Sequence, residues 1–177
     1  MDELVVSTEV YADPEEVYAF LLDFPRYARY SEYLREVRTL EGDGGPGTRY
    51  ALTFAWWKIT YTAHSRVTGV EPPERIDWEI IKDIDAGGCW RVTPAETDGG
   101  KEEAPNCEVA LEVEFDPGSA SPDALNIPRL VSFDWVLKKA IPLIRKEAER
   151  VVERAVRDLE DSTRDVELDV FVDSERI

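Results

Sequence analysis

The chain has 177 residues, 43% of them hydrophobic and 33% charged, the proportions of one ordinary folded domain rather than a disordered chain. Its 38 Asp and Glu outnumber 21 Lys and Arg, for a formal charge of −17, and such a surface disfavours contact with nucleic-acid phosphates. The longest uncharged stretch near the middle, Tyr50 to Trp57, is far shorter than the roughly 20 residues of a membrane-spanning helix. The start, Met1-Asp2-Glu3, has no basic or apolar signal region, so a cytoplasmic location is expected. The basic residues divide into 15 Arg and 6 Lys. Acid in excess with few lysines points to a halophilic protein whose self-repulsion is screened by salt, against the plainer alternative of a merely acidic one.

Leu4 to Tyr11 alternates as a first strand. Asp13-Pro14-Glu15-Glu16 then opens a helix, with a capping Asp, Pro at the first helical position and acids at its positive end. Val17, Phe20, Leu21 and Phe24 form its apolar stripe, and Pro25 ends it. Tyr27, Tyr30, Tyr33 and Leu34 predict a second short helix. The period then becomes two. Strands are expected over Glu36–Glu41, Thr48–Ala55, Ile59–Val70, Arg75–Ile81, Cys89–Thr93 and Cys107–Phe115. Gly42 to Gly47 and Gly87-Gly88 read as hairpin turns, Pro72-Pro73 as a break and Ala95–Pro105 as a polar loop. A loop from Asp116 to Asn126 leads to a long amphipathic helix from about Arg129 to Glu160. Its stripe is Ile141, Ile144, Ala148, Val151, Val152, Ala155 and Leu159, and a kink or break is expected at Pro142. Asp165 to Val172 alternates again, as an extra edge strand or an acidic tail.

One domain over residues 1–160 is therefore expected, with residues 161–177 appended. The fold class is α+β: a curved antiparallel sheet of about seven strands gripping one long C-terminal helix, with two short helices after the first strand. One helix cannot fill the concave side of such a sheet, and the remaining space becomes an apolar pocket.

Three segments carry a resemblance: Tyr11-Ala12-Asp13-Pro14-Glu15-Glu16-Val17-Tyr18, then Asp23-Phe24-Pro25-Arg26-Tyr27, then Val70-Glu71-Pro72-Pro73-Glu74-Arg75-Ile76. Together with the element order they resemble the helix-grip superfamily of START-like lipid-transfer domains and polyketide cyclase/dehydrases. The second segment looks most like the coenzyme Q-binding branch. The resemblance covers about residues 4 to 160 and implies a cavity for a lipid, isoprenoid quinone or polyketide. It carries over no catalytic residue and no cofactor.

The candidate cavity set is Tyr50, Phe54, Tyr61, Ser65, Trp78, Trp90, Leu111, Val113 and Trp135, with Tyr50, Tyr61 and Ser65 as its polar members. The plainer alternative for each aromatic is ordinary core. His64, the one histidine, falls on the outer face by alternation, away from any triad. Cys89 and Cys107 lack metal-ligand spacing and read as small core residues. No metal site is expected. Glu147, Glu149, Glu153 and Asp158 alternate with arginines as a solvated helix face. Trp56 and Trp57 leave an odd hairpin tip, to be read either as sheet core or as a lip for transient membrane contact. The expected function is a carrier of a hydrophobic small molecule without catalytic residues; the alternative is a polyketide cyclase/dehydrase-like enzyme using the same cavity.

Overall fold

The inner-face alternation of six successive strands requires one continuous sheet, and a computed structural model of the chain contains it. The structure describes residues 1–95, 105–120, 133–162, 164 and 166–173. In chain order the strands are β1 (Asp2–Val10), β2 (Leu34–Glu41), β3 (Arg49–Trp56), β4 (Ile59–Glu71), β5 (Arg75–Ile80), β6 (Asp85–Pro94), β7 (Cys107–Asp116) and β8 (Asp169–Asp173). All neighbours are antiparallel, in the order β2-β3-β4-β5-β6-β7-β1-β8. Helix α1 (Pro14–Leu22) follows β1, and α2 (Phe133–Glu160) follows β7. The architecture is the α+β helix-grip arrangement.

Asp13 caps α1 by accepting the Glu15 N–H at 3.1 Å, with Pro14 at the first turn. Val17, Tyr18 and Leu21 are buried, and they pack with Phe24, Tyr50, Val67, Ile76, Val92 and Val109 in the core. The second short helix expected after α1 is a 3-10 helix, Phe24–Arg29, which ends before Tyr33 and Leu34 of the expected stripe. The Tyr30 N–H bonds the Tyr27 carbonyl, the tighter three-residue spacing, and Leu34 already begins β2.

Two further expectations are corrected. Gly87 and Gly88 are not a turn: they lie inside β6, opposite Glu79 and Trp78 on β5 and opposite Glu114 and Val113 on β7. A Cβ at Gly88 would stand 2.0 Å from the Glu112 carbonyl oxygen, so close strand approach, not chain reversal, selects glycine there. The reversal occurs over residues 81–84, where Asp83 takes φ 75°. Secondly, α2 runs as one 28-residue helix through Pro142 rather than as two helices. One lost backbone bond does not outweigh a long amphipathic face. The loop around Asp98 to Gly100, the helix start at Arg129, and the Ile141 and Ile144 side chains lie outside the described residues.

The sheet bends at a bulge in β4, where Val67 opposes Trp78 but Gly69 opposes Asp77. The bulge returns Val70, rather than residue 69, to the face that carries Ile76.

The expected solvated face of α2 is partly buried. Glu147 is buried, accepts the Glu32 N–H at 3.1 Å and lies 3.6 Å from Arg154 Nη1. Arg154 also donates to the Tyr30 carbonyl at 2.8 Å, and the Tyr30 hydroxyl donates to Asp158 at 2.7 Å. These bonds fasten α2 to the segment leading into β2. Glu147→Ala should cost about 1–3 kcal/mol in urea unfolding, because the Glu32 N–H loses its acceptor and Arg154 its buried ion-pair partner; Glu147→Gln, which keeps a carbonyl, should recover part of that.

Candidate functional site

Opposed residues of an antiparallel pair point to one face, so the register assigns each candidate a side. Tyr50 opposes Ser65 and Phe54 opposes Tyr61. Trp78 opposes Val67 and Gly88, Trp90 opposes Ile76 and Leu111, and Val113 opposes Gly88. Val67 and Ile76 belong to the core, so eight of the nine cavity candidates, Tyr50, Phe54, Tyr61, Ser65, Trp78, Trp90, Leu111 and Val113, share the inner face. His64 opposes Ala51 and sits on the outer face. Glu108 and Glu112 are outer as well, opposite Glu9 and Val5.

The inner face is unevenly filled. At the α1 end, Tyr50, Ser65, Val67, Ile76, Val92, Val109 and Cys107 are buried. Phe24 stacks on Tyr50 with centroids 4.9 Å apart and on Tyr27 at 5.0 Å, and Tyr27 meets Trp90 edge-on at 6.3 Å. Tyr50 and Trp90 therefore serve the core there. Elsewhere on the same face Leu52, Tyr61, Trp78, Leu111 and Val113 are only half-buried, and Phe54 is 39% exposed. An apolar sheet face left incompletely covered is the physical signature of a binding surface.

The ninth candidate, Trp135, stands elsewhere. It is 42% exposed near the start of α2, and its ring lies 5.8 Å from that of Trp57. Trp56 is the last residue of β3, opposite Ile59, so the hairpin tip is only Trp57 and Lys58. Trp57 is 55% exposed and adopts φ 53°, a conformation that costs an L-residue with a Cβ about 1–2 kcal/mol. Lys58 Nζ lies 5.5 Å from the Trp57 ring centroid. Trp56, Trp57 and Trp135 thus form an aromatic rim where the hairpin tip meets the beginning of α2, two residues along β3 from the exposed Phe54.

Few polar groups reach the inner face. The Tyr61 hydroxyl is buried close to the Asp83 carboxylate; burial first, then that carboxylate, holds it protonated. Tyr27 donates to the Leu21 carbonyl. Cys107 lies in the core, 3.7 Å from the Ala12 carbonyl. Cys89, expected in the core, is buried instead on the outer face, where its thiol donates to Glu112 at 3.3 Å beside Arg91. A hollow of about 610 Å³ lies there, over Gly87 and Gly88 between Arg75, Asp77 and Glu112. Among the described residues no group of three or more His, Cys, Asp or Glu is placed to hold a metal ion. No described helix is long and apolar enough to cross a membrane.

Burial pushes the Cys107 thiol up to about 11, with Asp13 and Glu160 adding to the shift, and raises Tyr27 well above its ordinary range. The folded chain therefore holds these protons more tightly than the unfolded one. The Cys107 contribution is complete below about pH 9 and is lost as pH rises toward 11. Urea midpoints should thus fall between those values, and Cys107→Ala should flatten part of the slope.

Residues 1–161 match the family model described as polyketide cyclase/dehydrase and lipid transport. The chain belongs to this family. No curated protein sequence matches it. Among solved structures it is similar to TTHA0849 from Thermus thermophilus, at 19% identity and TM-score 0.55, covering 90% of this chain and 94% of that one. A START superfamily protein from Mycobacterium smegmatis matches at 14% identity and TM-score 0.57, covering 89% and 99%. The di-domain ARO/CYC StfQ of the steffimycin biosynthetic pathway matches at 12% identity and TM-score 0.62, covering 90% of this chain and 50% of that one. At these identities the likenesses show the fold alone, and it is the START-like one that the resemblance above implied.

Proposed function

We propose that the chain binds and carries a hydrophobic small molecule, an isoprenoid quinone or another membrane lipid, between the inner face of the sheet and α2. The observation that carries this reading is the uneven filling of that face: Phe54, Tyr61, Trp78, Leu111 and Val113 remain partly exposed although they point inward. Covering them with a ligand is favourable by about 25 cal/mol per Å² of apolar surface removed from water. The scarcity of polar groups suits holding and orienting a ligand. The family's description names lipid transport. The Trp56, Trp57 and Trp135 rim is proposed as the part that touches the bilayer while the ligand enters.

Val113→Trp places a bulky ring on the inner face and should weaken binding of a fluorescent lipid analogue at least tenfold. Thr93→Trp, exposed on the outer face opposite Glu108, should leave it unchanged. Equal affinity in both variants would contradict the proposed location.

One observation favours the cyclase/dehydrase reading: the buried Tyr61 hydroxyl close to Asp83 is a protonated donor on the inner face. Under that reading Tyr61→Phe abolishes turnover of a polyketide-like substrate. Under the carrier reading it changes lipid affinity only a few-fold, since one neutral hydrogen bond contributes about 1 kcal/mol.

A further inference from the structure

Strand β8 lies beyond the domain boundary that the sequence suggested and ends the sheet. It pairs with β1 on one side, and among the described residues no strand pairs with its other side. An open edge presents unpaired backbone N–H and C=O groups, which natural proteins usually guard with charge. The opposite edge, β2, is guarded in this way by Arg35, Glu36, Arg38 and Glu41. On β8, Phe171 is 56% exposed and Val170 is 45% exposed. Phe171 opposes Val5 on the outer face, whereas Val170 and Val172 oppose Val6 and Leu4 on the inner one.

The strand reads the same in both directions: Asp169-Val170-Phe171-Val172-Asp173. Antiparallel pairing of two copies about a two-fold axis at Phe171 therefore sets Phe171 against Phe171 and each Val170 against a Val172. Inner faces remain on one side and outer faces on the other, so the contact is self-complementary, as a closed two-fold dimer requires. It also sets each Asp169 against an Asp173, like charges directly opposite, which disfavours pairing.

We propose that β8 is a self-pairing edge through which two copies of this chain join into one continuous sheet, with the Phe171 rings in contact and the association controlled by salt. Salt acts through the two Asp169–Asp173 oppositions, which are screened once the Debye length falls from about 10 Å at 0.1 M to about 3 Å at 1 M. The contact is a short strand edge, far below the area of a standard interface, so the dimer is weak and concentration-dependent. It does not depend on the ligand-carrier reading.

The test is sedimentation equilibrium of the full chain at 0.1 M and 1 M KCl, with circular dichroism as the folding control. The wild type should dimerise roughly tenfold more tightly at 1 M, as two screened like-charge pairs imply. Asp169→Asn with Asp173→Asn should bring the dimer to low salt. Phe171→Glu should leave a monomer at both salts, and Phe171→Ser repeats that arm should the glutamate variant misfold. A wild type that is monomeric at both salts overturns the proposal. So does a dimer that either the asparagine pair or the Phe171 change leaves unaltered, because it uses another surface.

Discussion

Gly88→Ala should destabilise the protein by about 3 kcal/mol or more, the upper end of the cost of overpacking, because the neighbour it meets is fixed backbone. The new Cβ would lie 2.0 Å from the Glu112 carbonyl oxygen and 3.0 Å from Trp78 Cζ2. The first contact is backbone, fixed by the β6–β7 ladder, so it can be relieved only by separating the strands. The second would displace Trp78 from the inner face, so residual folded protein should also bind ligand less well. Gly45→Ala is the control: its Cβ meets only the Asp43 side chain, at 3.4 Å, and should shift stability by no more than about 0.5 kcal/mol. Urea unfolding of the two variants measures both, and a Gly88→Ala variant within about 1 kcal/mol of wild type would contradict the strand geometry.

The second large effect concerns the hairpin tip. Trp57 holds φ 53° while 55% exposed. A bulky residue in that conformation, with little burial to compensate, is a local cost that a membrane-contacting role would explain. Trp57→Gly removes the cost, since glycine adopts positive φ freely. Stability should therefore be unchanged or rise by up to about 1 kcal/mol. Vesicle co-sedimentation and ligand transfer should nevertheless fall about tenfold, because the residue suited to the water–lipid boundary is gone. Trp56→Ala with Trp57→Ala should weaken both further while circular dichroism still reports a folded chain. Wild-type protein that ignores vesicles, or a Trp57→Gly variant that unfolds more easily, would show that the ring serves packing instead.

Element order and face assignment were legible because the strands alternate strictly. Glu108, Glu112 and Glu114 leave only one possible inner side for β7, and the same parity placed His64 outward on β4. Glycine was harder to read. Gly42, Gly44 and Gly47 do take positive φ in a turn, whereas Gly87 and Gly88 are selected by the close approach of β5 and β7, which becomes visible only once the partners are known. The β5–β6 turn uses Asp83 at positive φ instead. Glu147 followed the pattern of an exposed helix face, yet its acceptor role depends on Glu32, 115 positions away in the chain. Local periodicity contains no sign of such a partner. The contact of Trp135 with Trp57 depends on where the β3–β4 hairpin tip meets α2, which no local pattern in either segment records. At Pro142 the local signal allowed a break into two helices, and the length of the surrounding amphipathic helix overrides that alternative.

A hydrophobic molecule held between the sheet and α2 should survive gentle purification of the protein from its source. Native mass spectrometry, followed by organic extraction and lipid analysis of the same sample, tests this most directly. The expected result is a mass above that of the bare chain, corresponding to one bound lipid or isoprenoid quinone, and its loss in Val113→Trp. A chain recovered bare, or an adduct that Val113→Trp retains in full, would contradict it.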